Sequence, residues 1–194
     1  MALLASCRGS NSAPAGGSGD DYAIVVHSAK GEVQARLRPG HPCRAEVDGF
    51  DVIAGGPPFV AQLGQTRWTG ETGSNGTTLS RDGAQKLRMF PETDRAVLGV
   101  FDPTGVAIVR INGTGDGAQV HDAGGVPLRT LTKRGDAIAI TGGPSVVGTD
   151  DLMLAALLTS PELTAESRAL LACDRVLAGG EAEATNARTD RDRK

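Results

Sequence analysis

Aromatic residues are scarce in this chain of 194 residues, which has one tryptophan, one tyrosine and four phenylalanines. Proteins that bind single strands of nucleic acid stack the bases on aromatic rings, and so few rings make such a surface hard to build. The net charge of −3 points the same way, because the phosphate backbone attracts basic surfaces. The sequence therefore predicts no nucleic-acid partner.

Long apolar runs are also missing. No stretch of the sequence approaches the ~18 consecutive apolar residues of a membrane-spanning helix. Any attachment to a membrane is therefore expected to use a covalent lipid rather than a helix that crosses the bilayer.

Candidates for catalysis or metal binding are few. The three histidines are His27, His41 and His121. His41 and Cys43 offer two metal ligands, but no second pair follows with metal-ligand spacing. Ser145 lacks the Gly-x-Ser-x-Gly pattern of a nucleophile elbow. The sequence predicts no metal and no cofactor, and it nominates no catalytic residue.

The N-terminal segment contains one short motif, Leu4-Ala-Ser-Cys7. It resembles the bacterial lipobox, in which small residues admit the signal peptidase and the cysteine thiol receives the lipid. The resemblance implies a lipid anchor at Cys7. Only six residues precede this cysteine, without lysine or arginine, whereas a signal peptide has a basic region and an apolar stretch of about 7–15 residues. Either the true start lies upstream or the match is accidental.

The chain divides into four predicted segments. Residues 1–7 are the remainder of a signal peptide, and residues 8–20, rich in Gly, Ser, Asn, Pro and Ala, are a flexible tether. Residues 21–178 form a single β-rich domain with C-terminal helices. Residues 179–194 are polar and charged, and we expect a disordered tail there. The expected location is the bacterial cell envelope, lipid-anchored and facing the periplasm or the surface. If the lipobox is accidental, the location is the cytoplasm.

Alternation of apolar and polar residues predicts strands from Tyr22 to Thr141. The segment 32–38 alternates strictly, with Val33, Ala35 and Leu37 on its inner face. The segments 43–47, 86–90 and 136–140 follow the same pattern. The segments 96–101 and 106–111 are more continuously apolar, which predicts strands covered on both faces.

A short repeat lies between these strands. The pattern Val-x-Asp-x-x-Gly-Val occurs at residues 100–106 and again at 120–126. Aspartate at the first position of a type I turn accepts backbone hydrogen bonds, and glycine suits the last position. We interpret Asp102 and Asp122 as turn residues of two hairpins; the alternative is a loop that binds a metal or another ligand. Residues 26–31 are a weaker third copy, with Ser28 in place of the aspartate.

Two helices are expected after Gly143. The segment 150–158 begins with two aspartates, which suit a helix N-terminus, and is then apolar on every side. Such a helix must be buried all round. A second helix is predicted to begin at Ser160 and Pro161 and to end at Gly179-Gly180.

If Cys7 carries a lipid, two cysteines remain. Cys43 faces inward by strand alternation, and Cys173 faces inward because it shares a helix face with Leu170 and Leu177. An even number in an exported protein suggests a disulfide. Two buried, unpaired thiols are the alternative.

The hairpin repeat, the apolar segment 150–158 and the segment 172–176 together resemble the tubby-like barrel, including its LURP-one-related and scramblase-type relatives. In that fold a closed sheet surrounds a hydrophobic C-terminal helix. The resemblance would cover residues 22–177 and implies no shared activity or functional residues.

The expected fold class is mainly β with C-terminal helices. An antiparallel hairpin meander forms a barrel or a sandwich, either around an apolar C-terminal helix or capped by it. The expected function is a non-enzymatic envelope lipoprotein domain that acts by binding or in an assembly, with a protein or small-molecule ligand still to be identified. The alternative is an envelope hydrolase with dispersed catalytic residues, built on His27 or His121 with an aspartate.

Overall fold

A computed structural model describes residues 22–56, 59–63, 65–73, 76–91 and 96–191. Cys7 and the segments predicted to be a signal-peptide remainder (1–7) and a tether (8–20) lie outside the described residues. Fourteen strands and two helices are present in the described part of the chain. The strands are β1 (Ile24–His27), β2 (Val33–Arg38), β3 (Cys43–Val47), β4 (Phe50–Gly55), β5 (Phe59–Leu63), β6 (Thr66–Gly73), β7 (Gly76–Arg81), β8 (Ala84–Pro91), β9 (Val97–Phe101), β10 (Ala107–Thr114), β11 (Gly117–His121), β12 (Pro127–Arg134), β13 (Ala137–Ile140) and β14 (Ser145–Val147). The helices are α1 (Leu152–Thr159) and α2 (Ala165–Arg191).

The strands form one closed antiparallel barrel. Each strand pairs with the next one along the chain, and β14 pairs with β1 to close the sheet, with Val146 opposite Val26. The predicted class, mainly β with C-terminal helices in an antiparallel barrel, is confirmed. Because every described strand has two neighbours, its backbone donors and acceptors pair within the sheet and no edge is left open.

Side-chain alternation places the core inside the barrel as the sequence predicts. On β3, Cys43, Ala45 and Val47 are fully buried, while the residues between them are not. Leu87 and Met89 on β8 are buried in the same way. The inner wall is therefore lined by apolar side chains at every second position.

Two strand predictions are wrong in detail. Val33, expected to face inward, is 45% exposed, because the pairing of β1 with β2 shifts by one residue between Val26 and His27 and interrupts the alternation there. Val106 is 56% exposed because it belongs to a turn rather than to β10. On β10 the alternation is clear, with Val109 and Ile111 buried and Ile108 only half-buried, so this strand is not fully covered on both faces.

The repeated motif forms hairpin turns. Oδ1 of Asp102 accepts hydrogen bonds from the backbone N–H of Thr104 and Val106 at 2.8 and 2.9 Å, and from the Thr104 hydroxyl at 2.7 Å. These bonds lower the pKa of Asp102, with the Thr104 hydroxyl as the largest cause. The glycine at the end of this turn, Gly105, has a φ of 87°, a conformation that side chains disfavour.

The second and third copies are built alike. Oδ1 of Asp122 accepts from Gly124 and Val126 at 2.9 and 2.8 Å. In the third copy the Ser28 hydroxyl accepts from the backbone N–H of Lys30 and Glu32. The turn interpretation is thus confirmed, and in each copy one side-chain oxygen accepts hydrogen bonds from the backbone of its own loop.

Helix α1 lies inside the barrel. Asp151 caps it by accepting hydrogen bonds from the backbone N–H of Met153 and Leu154 at 2.9 and 3.1 Å. The helix therefore begins at Leu152, two residues later than the sequence predicts, because Asp151 serves as the cap rather than as a helical residue. Every residue of α1 except Met153 is buried, as the apolar pattern predicts.

Helix α2 differs from its prediction at both ends. Ser160 is the C-cap of α1, and its hydroxyl donates to the Ala156 carbonyl; the N-terminus of α2 is instead capped by Thr164, whose hydroxyl accepts from the N–H of Ser167. The predicted end at Gly179-Gly180 is also wrong, because α2 continues to Arg191. Each glycine costs a helix only about 1 kcal/mol, and the following residues are mostly good helix formers. The backbone is thus helical through most of the segment predicted to be disordered.

The two helices fill the interior side by side. Helix α1 packs against β10, β11 and β12, and α2 packs against β3 and β4. The wall facing α2 carries small buried side chains, including Cys43, Ala45 and Ala54. Their small volume lets a whole helix fit against the sheet, since interiors are packed without large voids.

The barrel has two distinct ends. At the cap end, residues 160–164 connect the helices, and polar contacts hold this connection to the sheet: Arg129 pairs with Glu162, and Arg168 pairs with Asp48. Indole Nε1 of Trp68 donates to Glu166 at 2.9 Å. At the opposite end, which we call the cavity end, α1 begins, α2 leaves the barrel and β1 starts.

Candidate ligand-binding cavity

Three adjoining cavities surround the start of α1 at the cavity end. Their volumes are about 340, 480 and 430 Å³. The first two share Asp151 and Arg175, and the second and third share Gly148, Thr149 and Asp150. All three lie where the inner helices meet the strand ends.

The first cavity has the most distinctive chemistry. Its walls come from the ends of β6 to β9 and from both helices. Its apolar lining includes Met89, Leu98 and Ala178, and its polar lining includes Thr77 and Asp174. An apolar cavity with a small number of polar groups is the usual form of a small-molecule site.

Asp174 is the unusual residue of this wall. It lies on the buried face of α2 and is only 3% exposed. Burial raises its pKa to about 6, an effect opposed by a hydrogen bond from Thr77. Its Oδ2 atom has no hydrogen-bond partner among the described residues. A buried carboxylate with an unsatisfied oxygen is costly, so its presence calls for a functional explanation.

Arg175, the cation next to Asp174 in the chain, is paired with Asp151 rather than with Asp174. Arg175 donates from Nε to Oδ2 of Asp151 at 2.8 Å and from a terminal nitrogen to Oδ1 at 3.2 Å. Asp151 is also the cap of α1. The guanidinium therefore forms a two-point ion pair with Asp151, and among the described lining residues Asp174 is the one charged side chain without an oppositely charged partner.

Gly76 shapes the mouth of the cavity. Its φ is 120°, and a Cβ atom at this position would lie 2.2 Å from the Met89 carbonyl oxygen. Only glycine lets β7 begin this close to β8. The close approach brings Thr77, the next residue, into the buried wall beside Asp174.

The two cysteines predicted to face inward meet in the core of the barrel. Cys43 and Cys173 form a disulfide with an Sγ–Sγ distance of 2.12 Å and a Cα–Cα distance of 5.7 Å. The alternative of two unpaired thiols does not apply. Because Cys173 directly precedes Asp174, the bond ties the part of α2 that carries this carboxylate to β3.

The histidines of the hydrolase alternative lie elsewhere. His27 ends β1 and His121 ends β11, so both lie towards the cap end, away from the three cavities. Nδ1 of His27 is 3.4 Å from the Gly31 carbonyl oxygen, and Nδ1 of His121 has no hydrogen-bond partner among the described residues. The carboxylate next to His121, Asp122, is bonded to its own turn. The described structure thus builds no pair of imidazole and carboxylate at either position.

His41 does lie at the cavity end, in the wall of the second cavity. Its sequence neighbour Cys43 is in the disulfide and offers no thiolate to a metal. No group of three or more metal-ligating side chains occurs in the ranges that the structure describes.

Sequence reasoning placed Cys173 inward but missed Asp174 and Thr77. The available signal was the position of Asp174 four residues after Leu170 and three before Leu177, on the same predicted inner face. A carboxylate within an apolar helix face is a candidate functional group.

The chain matches no protein-family model, no curated protein and no solved structure. The resemblances to a lipoprotein and to the tubby-like barrel therefore stay predictions. No helix within the described ranges has the length and apolar character that crossing a membrane requires.

The raised pKa of Asp174 predicts a pH-dependent stability. In the folded state this carboxyl holds its proton up to about pH 6, against an ordinary value of 3.8. Its contribution to the free energy of unfolding is therefore most favourable below about pH 4 and falls as the pH rises to about 6. The loss amounts to at most about 3 kcal/mol.

Asp174→Asn removes this titration. Relative to the wild type, the variant is expected to gain stability as the pH rises from 4 to 6 and to keep that gain at neutral pH. Urea unfolding at several pH values measures the difference, in which the other carboxylates cancel. Glu71→Gln, at an exposed residue of β6, is the matched control and should give a flat difference. A flat difference for Asp174→Asn as well would contradict the assignment.

Proposed function

We propose that this chain is a non-enzymatic, lipid-anchored domain of a bacterial cell envelope that binds a ligand in the cavity at one end of its barrel. The observation that carries the proposal is the first cavity with its buried, unsatisfied carboxylate. The cavity offers groups that can bind a ligand, and among the described residues no nucleophile with an adjacent base lies beside them.

The disulfide supports export. Such bonds persist in oxidising compartments and are rare in the cytosol of most organisms. The Cys43–Cys173 bond lies in the core, with both residues at 0% exposure. An envelope location supplies the oxidising conditions in which this pair forms and remains.

The proposed anchor also has a consequence for orientation. Strand β1 starts at the cavity end, so the chain that leads back to Cys7 departs from that end. A lipid at Cys7 would therefore be connected to the domain, through the predicted tether, at the cavity end rather than at the cap end.

Lipidation of Cys7 is directly testable. Expressed in the native host from its own locus, the protein is expected to partition into the detergent phase, because two acyl chains suffice for stable anchoring. The Cys7→Ser variant is expected in the aqueous phase. Phase partition and mass spectrometry of the mature N-terminus measure both.

Ser6→Ala is the matched control. It keeps a small residue before the cysteine, so the variant should still enter the detergent phase. If the wild type and Cys7→Ser partition alike, the anchor is refuted, and the envelope location loses its main support.

A further inference from the structure

In the first cavity, the Asp174 carboxylate lacks a paired cation among the described residues and lies close to apolar side chains. Asp174 is 3% exposed, and its Oδ2 has no hydrogen-bond partner among the described residues. Arg175, the one positively charged side chain among the described residues of this wall, forms its two-point pair with Asp151. Within the described part of the chain, no cation therefore pairs with Asp174.

Two threonine hydroxyls are grouped with the Asp174 carboxylate here. Besides the Asp174 carboxylate, the hydroxyl oxygens of Thr72 and Thr77 lie 3.3 Å apart, and both threonines line the cavity. Thr77 also bonds to Asp174. A primary ammonium group has three N–H donors and no acceptor, which matches such a group of acceptors.

The remaining wall restricts the rest of the ligand. Apart from the Asp151–Arg175 pair, this wall includes Met89, Pro91, Leu98 and Ala178, so an apolar body gains by contact with these four side chains and a second charged group against them does not. The volume of about 340 Å³ lies near the lower limit for small-molecule pockets, about 300–1,000 Å³. The ligand is accordingly small.

We propose that this cavity binds a small organic amine, with its ammonium group on Asp174 and the two threonine hydroxyls and its apolar body against Met89 and Leu98. An anionic ligand would be repelled by Asp174, and a neutral one would leave the carboxylate without a counter-charge. The inference rests on the proposed binding function and adds the chemical class of the ligand.

Binding of three matched probes to the full-length, disulfide-bonded protein tests this. The probes are 2-phenylethylamine, its neutral analogue 2-phenylethanol and the anion phenylacetate, titrated near neutral pH by calorimetry or by NMR. The amine is expected to bind about tenfold or more tightly than the alcohol, and phenylacetate is expected not to bind. Equal affinity of amine and alcohol, or no saturable binding of the amine, overturns the proposal.

Two variants test whether the preference for the amine depends on Asp174. Asp174→Asn keeps the shape of the side chain and should lower the affinity for the amine to that for the alcohol. Glu71→Gln removes a negative charge one residue before Thr72, outside the cavity wall, and should leave the affinity unchanged. Melting curves and circular dichroism verify that both variants are folded. Equal losses of amine affinity in both variants would mean that binding depends on the overall charge of the cavity end, which overturns the assignment to Asp174. The lipid anchor is tested separately by phase partition, so failure of one test does not entail failure of the other.

Discussion

Replacing both cysteines of the disulfide, Cys43→Ala with Cys173→Ala, is expected to lower the free energy of unfolding by up to about 5 kcal/mol. The bond joins residues 130 positions apart, and in the chain-entropy model a loop of that length restricts the unfolded chain strongly. Alanine is chosen because both sites are fully buried, where the hydroxyl of serine would lack a partner.

Urea unfolding of the oxidised protein, the reduced protein and the double variant measures the effect. The reduced protein and the variant should unfold at similar, lower urea concentrations. Cys7→Ser is the control, since this cysteine takes no part in the bond, and its unfolding midpoint should equal that of the wild type. A double variant as stable as the oxidised protein would show that the bond contributes little to the fold.

Shortening a buried side chain of α1 is also expected to lower the free energy of unfolding strongly. Leu157→Ala is expected to cost about 2–5 kcal/mol, because a leucine with 0% exposure leaves a cavity when it is shortened. The site lies between the barrel wall and α2, and a closed sheet has little freedom to collapse into the gap.

Met153→Ala on the same helix is the matched comparison. Met153 is only half-buried, so its truncation should cost clearly less than that of Leu157. Thermal melting and urea unfolding rank the two variants. Equal and small losses would mean that α1 does not form the core, contrary to its position in the barrel.

Much of the wall could be predicted from local patterns. The inward positions of Cys43, Ala45 and Val47 follow from the period of two, and the three hairpin turns follow from an aspartate or serine followed by glycine. Helix α1 follows from an apolar segment behind two acidic residues. Each of these signals lies within about ten residues, where the backbone geometry is set by neighbours in the chain.

The rest depends on contacts between distant residues. The pairing of Val26 with Val146 closes the barrel, and nothing in the local sequence of either segment indicates that the two segments pair. Ser160 has the features of an N-cap but completes the end of α1, because both uses need only a small hydroxyl side chain. The cavity was missed for the same reason: Thr77 and Asp174 are close only because β7 and α2 are brought together by the complete fold.

The position of the helices after the strands in the sequence has a consequence for the order of folding. The inner wall, from β1 to β14, is synthesised before α1 and α2, which provide the residues that cover it. Until then Leu37, Val52 and Leu131, all fully buried in the native barrel, have nothing inside the sheet to pack against. A barrel that has already sealed would also exclude the two helices that belong within it. We therefore expect the seam between β1 and β14 to be among the last contacts to form, with the strands closing around two helices that are synthesised after them.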